Sequence, residues 1–132
     1  MHLHKLIVAL CIASCSSTVL ADCRNATSDQ IESQKTKALA DPAAKVAEEE
    51  GYLKVTLPQA SGDIIISYFA LPGHPAYPSN VISAIYRHDG KIWLYSRGFN
   101  AGDCAAFQSW MQGFAAQHER VRSEMQERIR EN

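Results

Sequence analysis

The 132-residue chain carries 13 Lys and Arg against 14 Asp and Glu, and a formal charge of −1 excludes the strongly basic surface of a nucleic-acid binder. With 46% apolar residues it has material for one hydrophobic core and too little length for two, which excludes multidomain machinery.

In chain order, Met1 to Lys5 is a short basic start, Leu6 to Ala13 is an unbroken apolar run, and Val19, Leu20 and Ala21 supply the small-residue pattern of a signal-peptidase site. This reads as an export signal over 1–21, followed by a single domain over 22–132. The apolar run is far shorter than the roughly 20 residues that span a bilayer. Ile12, Ala13, Ser14 and Cys15 also resemble a lipobox, so the alternative to a periplasmic or secreted protein is an outer-membrane lipoprotein acylated at Cys15.

Either route leaves Cys23 and Cys104 as a pair. In an oxidising compartment a disulfide is the default for such a pair. Closing so long a loop is worth about 4–5 kcal/mol by the chain-entropy argument.

Thr27 followed by Gln30 has the form of a capping box, and Ile31, Lys35 and Ala38 recur at helical spacing, so a helix starts there. Asp41 and Pro42 read as a restart, which predicts a second, turn-rich helix over Ala43 to Glu50 that Gly51 ends. From Tyr52 the period changes to two, with Leu53, Val55 and Leu57 on one face of a half-buried strand. Pro58 to Asp63 is turn chemistry. Ile64 to Leu71 and Val81 to Arg87 are rich in β-branched and aromatic residues and form the next two strands. Asp89 and Gly90 make a tight hairpin into a returning strand, Ile92 to Ser96. Gly98 to Asp103 breaks the sheet, with Asn100 as a cap and Asp103 facing the positive end of a long helix. Phe107, Met111, Phe114, His118, Val121 and Met125 give that helix one apolar face from Ala105 to about Arg130. At 1.5 Å per residue it is roughly 40 Å long, longer than the strands can cover. The predicted fold is therefore α+β: an N-terminal helix, a four-stranded antiparallel β-meander, and a long C-terminal helix packed on one sheet face, closed by one disulfide.

Pro72, Gly73, His74, Pro75, Ala76, Tyr77, Pro78 and Ser79 are the most unusual stretch, with three of the five prolines within seven residues. Proline fixes φ and restricts the residue before it, so His74 and Tyr77 are held with little conformational freedom to lose on binding. The chain resembles short, uncharacterised exported proteins of Gram-negative bacteria in which a strand runs into a Pro-Gly-His-Pro-Ala loop. The resemblance rests on Phe69 to Pro78 and implies a location rather than an activity.

His74, His88 and His118 match no zinc signature, so neither a metal nor a cofactor is expected. Ser67, Ser79 and Ser96 are available hydroxyls, with Asp63, Asp89 and His74 as conceivable bases, yet no nucleophile elbow organises them. The reading that follows is a non-catalytic periplasmic module, of binding or inhibitor and immunity type. It meets an envelope protein or enzyme through His74, Tyr77, Tyr68, Arg87 and Arg97. Two alternatives stand beside it: an accessory protein that docks through its last helix, and a small hydrolase. No nucleic acid is implied as a partner, and a membrane only if Cys15 is lipidated.

Overall fold

The computed structural model describes Cys23–Glu131; the segment 1–21 read as an export signal, and Cys15, the alternative lipidation site of that reading, lie outside the described residues. Helix α1 spans Ser28–Ala40, strands β1 to β5 span Lys45–Glu49, Tyr52–Pro58, Ile64–Ala70, Ser79–His88 and Lys91–Asn100, and helix α2 spans Cys104–Glu131. The strands form one antiparallel sheet in the order β1-β2-β3-β4-β5, so every connection is a hairpin or a short loop. The α+β class and the long last helix match the sequence reading; the sheet has five strands rather than four.

The extra strand is β1, taken from the segment expected to be helical. Its alanine and glutamates favour a helix weakly, and tertiary pairing overrides that preference. Asp41 ends α1 instead of starting a new helix: its carboxylate accepts from the Ala43 N–H at 2.9 Å and its carbonyl from the Ala44 N–H at 3.1 Å, which turns the chain. Glu50 and Gly51 then take positive φ values of 35° and 84°, a two-residue hairpin that folds β1 back on β2. All five β1 residues are exposed, so the hydrogen-bond ladder holds this strand in place of burial.

Helix α1 begins as the capping box predicts, with the Thr27 hydroxyl accepting from the Gln30 N–H at 3.1 Å and the Gln30 side chain accepting from the Thr27 N–H at 2.9 Å. Its Ile31 and Ala38 pack on Val55 and Phe69. On the other sheet face, Phe107 and Phe114 of α2 pack on Tyr68 and Val81. The two clusters use alternate residues of the same strands, as the period of two requires. Burying each of these large side chains contributes roughly 1.5–3 kcal/mol.

Strand β5 runs to Asn100, four residues past the predicted end. Asn100 is fully buried and does not cap α2; its side chain accepts from the Gly102 N–H at 2.9 Å and shapes the turn. The cap is Asp103, whose carboxylate accepts from the Ala106 N–H at 2.9 Å. Gly98 gives α2 its close approach, because a Cβ there would overlap the Phe107 ring. The Cys23–Cys104 disulfide joins the segment before α1 to the first residue of α2, with Cα atoms 5.7 Å apart.

Candidate binding face

The sequence-selected loop leaves β3 and returns into β4 at the sheet end away from the β4–β5 hairpin. It is pinned from inside: the Leu71 N–H donates to the Gly51 carbonyl at 2.9 Å, and the Ala101 N–H donates to the Pro78 carbonyl at 3.0 Å. Between these ties Ala76 is fully buried. His74 turns inward, its ring 4.9 Å from the Trp110 ring, and its Nδ1 accepts from the Ala76 N–H at 3.0 Å. Burial lowers its pKa below the usual histidine value. Tyr77 stays on the surface. Glu50, Tyr52, His74, Trp110, Gly113, Phe114 and Gln117 border a shallow groove of about 250 Å³ beside the loop.

Tyr68 lies beneath this groove and is only 5% exposed, its ring 4.5 Å from Phe114 and 5.8 Å from Tyr52. A residue so placed belongs to the core rather than to a contact surface. Burial first, and the nearby Glu49 carboxylate second, push the Tyr68 phenol up. The Tyr52 phenol, which donates to Glu49 at 3.0 Å, is pushed up to about 12, with desolvation the largest cause. Arg87 sits on the α2 face near the hairpin and Arg97 on the opposite face. The five sequence-selected residues therefore do not converge on one site.

One arrangement superficially suits hydrolysis. His118 Nε2 lies 3.2 Å from Ser83 Oγ, its Nδ1 lies 3.0 Å from Ser96 Oγ, and the two hydroxyls are 2.8 Å apart. A neutral imidazole supplies one N–H and one acceptor, so three protons serve three contacts and the ring of bonds closes on itself. Ser83 is 1% exposed, which keeps a substrate from its hydroxyl, and among the described residues both imidazole nitrogens face serine hydroxyls rather than an orienting carboxylate. This is a half-buried polar clasp between β4, β5 and α2, with His118 as the tucked histidine that its helical position suggests.

The exposed chemistry lies on the sheet face that carries α1. Pairing of Tyr86 with Trp93, Ala84 with Tyr95 and Ile82 with Arg97 puts all six on that face. Helix α1 covers the half around Val55, Phe69 and Phe99 and leaves the hairpin half open. Tyr86 remains 37% exposed, Trp93 45% and Tyr95 59%. Arg97 lies beside them, its guanidinium 5.0 Å from the centre of the Phe99 ring. Tyrosine, tryptophan and arginine are the side chains that carry most interface energy, and an uncovered cluster of them marks a contact surface.

Of this group the sequence reading found only Arg97. The missed signal is the run Ile92, Trp93, Leu94, Tyr95, which has no polar face although a strand solvated on one side alternates. Among the described residues no three His, Cys, Asp or Glu side chains are placed to hold a metal ion, and no helix is long and apolar enough to cross a membrane. No family model, no curated protein and no solved structure matches the chain.

Proposed function

We propose that this protein is a non-catalytic binding module working outside the cytoplasm, and that it meets a protein partner through the open sheet face at Tyr86, Trp93, Tyr95 and Arg97. The observation that carries this reading is the exposure of three aromatic side chains side by side on a rigid antiparallel hairpin, next to a cation. Rigid aromatics lose little entropy when a partner covers them. The disulfide is compatible with an oxidising compartment. The Pro72 to Ser79 loop supports the module as scaffold, since its histidine is already engaged by Trp110. The last helix supports a docking role less well, because Val121, Met125 and Ile129 are half-buried.

The test is site-specific photo-crosslinking in intact cells, with the crosslinker at Tyr95 and, as a control, at Gln112, which is exposed on α2. A discrete adduct from position 95 alone, lost in Tyr86→Ser/Trp93→Ser with unchanged thermal stability, is the expected result. Equal or absent crosslinking at both positions removes the reading.

A further inference from the structure

The two edges of the sheet are built differently. Strand β1 is five residues long, fully exposed and carries Lys45, Glu48 and Glu49, the charged, short type of edge that resists pairing. Strand β5 is ten residues long and pairs with β4 in unbroken register, with no proline or bulge. One end of its outer edge is already closed. Asn25 Oδ1 accepts from the Asn100 N–H at 2.8 Å, Asn25 Nδ2 donates to the Gly98 carbonyl at 2.9 Å, and the Ala26 N–H donates to the Asn100 carbonyl at 3.2 Å. These bonds show that even-numbered residues of β5 point their backbone groups outward. Ile92, Leu94 and Ser96 share that phase, and no hydrogen bond among the described residues reaches their outward N–H and C=O groups. The open stretch runs from Lys91 to Arg97, roughly 20 Å of strand.

Resting on the binding-module reading, we propose that this stretch accepts an extended acidic segment of a partner protein as a sixth strand, by β-augmentation. The backbone groups require a strand, and the side chains say which. Lys91, Trp93, Tyr95 and Arg97 alternate on the open face, two cations flanking two aromatics. Neither Lys91 nor Arg97 makes an ion pair among the described residues. A complementary strand places acidic residues opposite both, six positions apart, with apolar residues between them against the aromatics. Its other face enters a groove of about 530 Å³ between Lys91–Trp93 and the Arg122–Arg130 part of α2, where Arg130 adds a further cation and Glu127 an opposing charge.

Charge argues against a second copy as occupant. Symmetric antiparallel pairing of the open stretch centres on Leu94 and sets Lys91 opposite Arg97 twice. Strand β1 of another copy fares no better, because its glutamates are contiguous and Lys45 occupies its other end.

The probe is the capped peptide Glu-Ser-Val-Thr-Val-Ser-Glu, compared with the same peptide ending in lysines, titrated into the exported protein and followed by amide chemical shifts and hydrogen exchange. Protection of the Ile92, Leu94 and Ser96 amides is expected, with binding about tenfold weaker for the lysine version. Lys91→Glu/Arg97→Glu should reverse that preference, and Leu94→Pro, which removes an outward N–H, should abolish binding. Equal binding of both peptides, no binding at millimolar concentration, shifts confined to another surface, or self-association that protects the same amides overturns the proposal. If the peptides are ignored while the Tyr95 crosslink persists, the edge proposal fails and the binding role stands; loss of both removes the role itself.

Discussion

His118 Nδ1 lies 3.0 Å from Ser96 Oγ, and this contact couples the apolar stripe of α2 to the edge strand. Protonation makes both ring nitrogens donors, so the cluster carries four protons for three contacts and one hydroxyl proton is left without a place among them.

Burial lowers the pKa of His118, and that of His74, below the ordinary 6.5. The unfolded chain therefore binds more protons than the fold as pH falls through 6.5 toward the depressed folded values. Stability from these sites is present above pH 6.5 and is lost below it. Thermal melts should give a lower Tm at pH 5 than at pH 7. His118→Leu should flatten that dependence in part, with His74 supplying the remainder; an unchanged slope in the variant would place the titrating groups elsewhere.

Gly98 and Phe107 make the closest approach between sheet and helix. Gly98→Ala should cost about 1–3 kcal/mol, because its Cβ overlaps the Phe107 ring and also comes within 3.1 Å of Met111 Sδ. Coupling it with Phe107→Leu should recover part of the loss, measured as a double-mutant cycle by urea unfolding. Additive losses would show that the helix shifts rather than the ring.

The Cys23–Cys104 bridge spans 81 positions and also holds Asn25 against the β5 edge. Cys23→Ser/Cys104→Ser should lower stability by about 2–5 kcal/mol. It should also speed hydrogen exchange at Asn100, whose N–H is bonded by Asn25. A loss of stability with Asn100 still protected would separate the two effects.

Patterns that act locally were legible in the sequence. Thr27 with Gln30, Asp89 with Gly90, and the spacing from Phe107 to Met125 each specify an element without help from distant residues, and each element formed. Strand β1 was not legible, because its conformation comes from pairing with β2 and its residues have no buried face to advertise. The same limit applied to the site. Pro72 to Ser79 stood out by composition, which reported a rigid connection. The exposed aromatic face depends on where α1 stops covering the sheet, and that boundary is a tertiary fact.

The loop itself yields a divided prediction. His74 packs on Trp110 and accepts a backbone N–H, whereas Tyr77 projects from the surface. His74→Ala leaves the Ala76 N–H without its partner and uncovers one face of the indole, a loss of about 1–3 kcal/mol. Tyr77 is 39% exposed and so has less packing to lose, and Tyr77→Ala should cost less than that, about 1 kcal/mol or below. Urea unfolding of the two single variants measures the difference directly. If Tyr77→Ala proves the costlier of the two, the loop is anchored from its outer side, and the inward-facing histidine is not what fixes it.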